Sequence, residues 1–215
     1  ELLRLRLGKP AEFNDYHLRA SQWFEDNGLD LEAFQHAAAT NDIERAERII
    51  EGKGIPLHFR GAVTTILDWL ASLPKTMLDT RPSLWARYAR LSLVTGQTTG
   101  VEEKLQAAEA ALQGAESDDK SRNLIGQIAA ARATLALSRY QVKTMIAESR
   151  RALEYLHPDN LPSRNQALYT LAVAYRLQGD RAAAGRAYTE VLSISQASGD
   201  IFYTILAACG LGEVQ

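Results

Sequence analysis

Pairs of helical segments follow one another from residue 82 onwards, and this repetition restricts the possible folds more than any other feature of the sequence. Within each segment, apolar residues recur at the spacing of one helix face, and turn residues separate the segments. A single pair cannot bury its apolar face alone, so successive pairs are expected to stack. The predicted helices are 82–95 with 101–112, 122–138 with 142–156, and 162–178 with 181–195, and a fourth pair begins at Asp200.

The third pair resembles a tetratricopeptide (TPR) repeat in its pattern of large, small and aromatic residues. The pattern is carried by Leu168, Leu171-Ala172, Tyr175, Gly179, Ala184 and Tyr188. A shift of 83 residues aligns Trp85 with Leu168 and Gly96 with Gly179, which gives a period of about 41 residues, against ~34 in the common repeat. In the middle unit, Ala130-Ala131 and Ser138 stand at the corresponding places. We predict an all-α, TPR-like superhelix of antiparallel helix pairs, with a non-repetitive helical bundle as the alternative.

The N-terminal part has shorter and less regular helical segments, which we describe as a helical neck over 13–81. The predicted helices are 13–27, 31–39, 43–50 and 56–73. Pro56 lies in the first turn of the fourth helix, where its missing N–H costs nothing. Residues 74–82 form a connector bounded by Pro74 and Pro82. The TPR-like repeats then occupy 82–215.

Composition and charge exclude several function classes. The net charge is -2, so there is no basic excess to neutralise phosphates, and we expect this segment to bind no nucleic acid. No apolar stretch approaches the ~18 residues needed to span a bilayer, so no membrane association is expected. Cys209 has no second cysteine to pair with, which is typical of a reducing cytoplasm.

The sequence shows no catalytic constellation and no metal site, and we expect no enzyme and no cofactor in this segment. Gly52-Lys53-Gly54 lacks the spacing of a phosphate loop and is predicted to be a helix-to-helix turn. The four histidines are too widely spaced to form a metal-binding pair. His36 is predicted to pack on a helix seam and Cys209 in the core. Glu102-Glu103 and Asp118-Asp119 are predicted to be solvated or helix-capping charges.

A stack of helix pairs offers a groove lined by the first helix of each pair. The repeat register places five side chains on this concave face as candidates for ligand binding. These are Arg90, Arg132, Gln166, Tyr169 and Arg176. Recurring arginines suit an anionic or hydrogen-bonding ligand, and the alternative is that each is a solvated surface residue.

Three stretches of the N-terminal part have a distinctive sequence: residues 18–28 (LRASQWFEDNG), 32–37 (EAFQHA) and 42–50 (DIERAERII). They resemble the segment that follows the ATPase module in MalT-like, LuxR-type bacterial transcriptional regulators. Trp69-Leu70, Leu73-Pro74 and Arg81-Pro82 continue the resemblance. The resemblance is specific over residues 13–96, and from residue 97 onwards it is only a generic TPR-like similarity. In this family a nucleotide-binding module, a winged-helix piece, a helical sensor arm and a helix-turn-helix follow in order. Residues 1–12 would then be the tail of the winged-helix piece.

The resemblance implies a function for the whole chain. A small-molecule or protein effector would bind the helical arm, and the ATP-bound protein would self-associate and activate transcription in the bacterial cytoplasm. ATP is expected on an N-terminal module of a longer parent protein, because the sequence lacks both the Walker motif and the DNA-reading helix. The alternatives are a TPR scaffold that binds a partner protein or peptide, and a helical accessory domain of an enzyme.

Overall fold

The computed structural model describes residues 10–52, 57–113 and 118–214, and within these ranges the regular structure is helical without any strand. This confirms the predicted all-α, TPR-like class. The helices are α1 (Pro10–Asp26), α2 (Asp30–Ala39), α3 (Ile43–Glu51), α4 (Val63–Ser72), α5 (Lys75–Asp79), α6 (Pro82–Val94), α7 (Val101–Leu112), α8 (Asp119–Ser138), α9 (Val142–Tyr155), α10 (Leu161–Leu177), α11 (Arg181–Ser198) and α12 (Ile201–Val214). A 3-10 turn at Leu57–Arg60 precedes α4.

The chain divides into two compact units, Glu1–Leu73 and Pro74–Gln215. In the first unit, α1 packs on α2 and α2 on α3. The Phe34 ring is fully buried and meets the Trp69 ring edge-to-face, with centroids 5.4 Å apart. The Ser21 hydroxyl donates to the Ala33 carbonyl at 2.8 Å, which satisfies a polar group buried between α1 and α2.

Two segments near the boundary differ from the prediction. The single helix predicted over 56–73 is broken, because Gly61 has φ +86° and cannot continue a right-handed helix. The 3-10 turn and α4 therefore replace it. The predicted connector contains a short helix of its own, α5, which begins after Pro74. Lys53, Gly54 and Pro56 lie outside the described residues. Residues 1–9 of the predicted winged-helix tail also lie outside them, and residues 10–12 of that tail begin α1. The division into tail, neck and repeats stays a prediction.

In the second unit, first and second helices alternate. The first helices α6, α8, α10 and α12 contact one another in succession, and each packs on a second helix, α7, α9 or α11. We call α6, α8, α10 and α12 the first-helix layer. The buried side chains between helices are mostly alanines, which allow two helix axes to approach closely.

Two glycines mark the closest approaches in the second unit. A Cβ atom at Gly126 would lie 2.7 Å from the backbone nitrogen of Leu156, at the end of α9. At Gly210 on α12, a Cβ atom would lie 2.4 Å from the ring of Tyr188, which is almost fully buried. These contacts explain why small residues recur at fixed places in the repeat.

The turn between the two helices of a pair has the same hydrogen bonds in each complete pair. The residue after the helix cap is left-handed, and the next N–H bonds back to the carbonyl five residues earlier, which defines a Schellman motif. In the first and third pairs this residue is Gly96 (φ +77°) and Gly179 (φ +82°). In the middle pair it is Tyr140 (φ +54°), and Asn41 has the same angle after α2. Ser138, which the period of about 41 residues aligns with Gly179, is the last residue of α8, where the predicted helix 122–138 also ends, and the left-handed turn residue lies two positions later at Tyr140.

We expect Gly126→Ala to destabilise the second unit by about 1–3 kcal/mol, the usual cost of overpacking, because the new methyl group meets backbone atoms that cannot rotate away. Gly212→Ala is the matched control, since it lies on α12 and a Cβ atom added there would meet no other atom within 4 Å. The control is expected to gain up to about 1 kcal/mol of helix propensity. Urea unfolding followed by far-ultraviolet circular dichroism measures both changes, and equal stabilities for the two variants would contradict the packing account.

Candidate functional site

Arg132 on α8 is held by two carboxylates of α7. Its Nε donates to Glu102 at 3.1 Å, and its terminal nitrogens donate to Glu109 at 3.1 and 3.0 Å. The Arg132 side chain is 14% exposed. Burial of the guanidinium opposes its protonation, but the hydrogen bonds to Glu109 and Glu102 outweigh burial and raise the pKa of Arg132. Glu102 was predicted to be a solvated or capping charge, and it is instead a partner of Arg132.

The Arg132 cluster continues onto α9. Arg151 pairs with Glu109 at 3.2 Å and lies 3.8 Å from Glu148. The hydrogen bond from Arg132 is the main reason that the pKa of Glu109 is lowered. Burial raises the pKa of Glu148, whose Oε2 has no hydrogen-bond partner. Three carboxylates and two guanidinium groups therefore join α7, α8 and α9 in one network.

Gln166 and Tyr169 of α10 contact neighbouring first helices. Gln166 donates to the Thr134 hydroxyl of α8 at 2.8 Å. The Tyr169 ring packs against Tyr203 of α12, at a centroid distance of 5.9 Å, and against Tyr188 of α11, at 6.1 Å. Burial raises the pKa of the Tyr169 hydroxyl above its ordinary value.

The two remaining candidate arginines differ in their partners. Arg176 on α10 forms an ion pair with Glu213 of α12. Arg90 on α6 is desolvated, and burial, followed by the charge of Arg87, lowers its pKa to about 10. The charge of Tyr203 acts in the opposite direction and raises the pKa of Arg90. Ligand binding by any of the five candidates stays a prediction, and for Arg132 the ion pairs already account for its position.

A cavity of about 340 Å³ lies where α8 and α10 end. Two of the five predicted residues, Tyr169 and Arg176, line it together, whereas Arg90, Arg132 and Gln166 are not among its lining residues. Its other walls are Leu137, Ser138, Tyr140, Val173 and Leu177. The sequence analysis missed Tyr140, although the signal was present: aligning the turns by their helix ends places an aromatic residue where the flanking pairs have glycine.

The first unit has a smaller cavity of about 210 Å³, lined by Phe13, Tyr16, His17, Ala20 and His36. The two imidazoles meet there, with their Nδ1 atoms 2.6 Å apart. Burial, and then the charge of His17, lower the pKa of His36. The predicted seam position of His36 is what the structure has, between α1 and α2.

The predictions for Asp118 and Cys209 have opposite outcomes. Asp118 caps α8 by accepting from the Ser121 N–H at 2.7 Å, as predicted for a capping charge. The prediction that Cys209 lies in the core is wrong: the thiol is exposed, since that face of α12 is not covered. Among the described residues, no group of three or more His, Cys, Asp or Glu is arranged to hold a metal ion. No helix in the same ranges is long and apolar enough to cross a membrane.

Residues 126–215 match the family model for the MalT-like TPR region. Over 113 residues the chain is 32% identical to the serine/threonine-protein kinase PknK of two Mycobacterium tuberculosis strains and of Mycobacterium bovis. That similarity covers 53% of this chain and 10% of each kinase, so the chain spans about a tenth of the length of these relatives. No solved structure matches the chain significantly. The C-terminal part is thus similar to a MalT-like TPR segment, a helical protein-interaction domain.

The prediction that the protein is not an enzyme is contradicted by these relatives, each of which is a serine/threonine-protein kinase. The similarity is partial and lies in the TPR region, so it assigns no catalytic residue to this chain.

Arg132→Ala is expected to destabilise the second unit by about 2 kcal/mol, less than the 3–5 kcal/mol of a fully buried pair because the partners are partly exposed. The loss should shrink as the pH falls from 7.5 to 5. Without Arg132, the carboxylates of Glu109 and Glu148 lose a neighbouring positive charge and bind protons more readily in the folded than in the unfolded state, so acid relieves the defect.

Arg151→Ala is the control, because this 40% exposed side chain is expected to contribute less than about 1 kcal/mol. Urea unfolding at the two pH values tests the account. A destabilisation by Arg132→Ala that is independent of pH would show that the carboxylates do not carry the effect.

Proposed function

We propose that the chain is the effector-sensing and protein-interaction arm of a larger LuxR/MalT-type transcriptional regulator. Effector binding to the first-helix layer would favour self-association of the full-length protein, which then activates transcription. ATP would bind to another module of that protein, and the whole would work in the cytoplasm. The effector is a small molecule or a protein.

One observation carries this proposal: the residues that match the MalT-like TPR region are those that form the α8–α12 stack and its cavity. A stack of helix pairs presents a continuous layer of first helices, which is the surface that repeat proteins use for binding. The cavity is at the small end of the ~300–1,000 Å³ range of ligand pockets. Its position between two first helices suits a ligand that alters how these helices pack.

A second candidate is favoured by the similarity to the PknK kinases. The same arm would then be an accessory domain that gathers partners or effectors for a kinase module in the full-length protein. The two candidates share the sensing role and differ in the output, which is transcription in the first and phosphoryl transfer in the second. A scaffold without any sensing role is the remaining alternative.

A thermal-shift screen of sugars, nucleotides and peptides tests the sensing role. An effector that binds only the folded chain is expected to stabilise it by about 2.7 kcal/mol at 100 times its Kd. Light scattering on the full-length protein, with ATP and the hit compound, should then show a larger assembly than with ATP alone.

The control is the full-length protein with ATP and a screened compound that left the melting temperature unchanged. The sensing role is refuted if no compound class raises the melting temperature, or if a bound effector leaves the assembly state unchanged. Kinase assays of the same samples separate the two outputs.

A further inference from the structure

Tyr140 combines two unfavourable properties in one residue. It has φ +54°, a left-handed conformation that costs a residue with a side chain of the order of 1 kcal/mol. The residue is also 76% exposed, the largest exposed fraction among the large hydrophobic residues that the structure describes. Gly96 and Gly179 make the same turn without either cost, so the turn itself does not require tyrosine.

The position of the Tyr140 ring gives a reason why a tyrosine occupies this turn. Tyr140 lines the cavity between α8 and α10, with Tyr169 among the other walls. Aromatic side chains offer a large and rigid contact area, and an additional ring packed against them gains about 0.5–1.5 kcal/mol beyond area burial. An exposed tyrosine held at a strained position beside a cavity is therefore suited to contact a ligand that is absent from the free protein.

The charges around the cavity favour a neutral occupant. Arg176 is the charged residue in its lining; its Nη1 already pairs with Glu213, and its buried Nε has no hydrogen-bond partner among the described residues and can donate to a neutral acceptor. An anionic ligand would have to compete with this internal carboxylate. Leu137, Val173 and Leu177 supply apolar surface, while the Tyr169 hydroxyl has no hydrogen-bond partner among the described residues and can donate to a neutral acceptor.

We propose that the cavity between α8 and α10 binds a neutral small molecule that carries an aromatic ring, packed against Tyr140 and Tyr169. The inference rests on the sensing function proposed above and names the chemical class of its effector. Tyr140 acts as the outer wall of the site, and its strain is retained because glycine would leave that wall open.

Two isosteric probes and two matched variants test this. Indole-3-acetamide and indole-3-acetate differ in charge and hardly in shape. Tyr140→Gly restores the residue of the flanking turns, and Asn41→Gly relieves the same φ of +54° at a residue of the first unit that does not line the cavity. Calorimetry and amide-resonance titrations of the 215-residue chain measure affinity, and thermal melting measures stability.

The amide is expected to bind saturably, and the acetate at least threefold more weakly. Tyr140→Gly should lower the affinity for the amide about tenfold, which corresponds to ~1.4 kcal/mol, while its melting temperature stays equal or rises. Asn41→Gly should show the same thermal effect with unchanged affinity. A gain in stability accompanied by a loss of binding is the signature of a residue kept for its ligand.

The proposal is overturned if the amide does not saturate, if the acetate binds more tightly, or if Tyr140→Gly binds the amide as the native chain does. The sensing function is judged separately by the screen: a hit whose affinity is insensitive to Tyr140→Gly would leave that function standing and remove this site. A screen with no hit, together with saturable binding of the amide, would keep the site and refute the sensing function.

Discussion

The close approach of helices through small residues is the constraint on which the rest of this structure depends. Alanines fill the seams between α8, α9, α10 and α11, and Gly126 and Gly210 occupy the two places where even a methyl group has no room. Dispersion contacts are collectively strong only when surfaces meet without voids. This packing favours the observed register of the helix pairs, and the register decides which side chains lie on the first-helix layer.

The pairing of charged side chains in the second unit is a consequence of the same close packing. Once α7, α8 and α9 lie close together, a charge on their shared seam loses its water and needs a partner. Arg132 has two carboxylates, and Arg176 has Glu213. Arg90 is the contrasting case, in which burial lowers the pKa and no carboxylate of the described residues is among the groups that act on it. The candidate arginines are thus distinguished by their partners and not by their place in the repeat.

Much of the fold could be predicted from local signals. Helix α7 begins and ends at the predicted residues, and α3, α6, α9 and α10 agree within one residue at each end, because caps and prolines act over a few positions. The break at Gly61 was missed because apolar spacing continued across it. The partners of Arg132 lie 23 and 30 residues away in sequence, so helix periodicity alone could not identify them. Cys209 was misplaced because an apolar surrounding sequence does not reveal whether a further element covers that face.

The left-handed turns have a consequence for related sequences. Where no other constraint acts, selection for stability at a position with a left-handed φ favours glycine, since glycine adopts this angle without cost. A lineage that stops using the adjacent cavity would accordingly drift to glycine at the place of Tyr140, while the hydrogen bonds of the turn stay intact. On the proposal that the cavity binds a ligand, the identity of this one residue would then report whether a homologous chain has kept the site, even where the overall sequence has diverged.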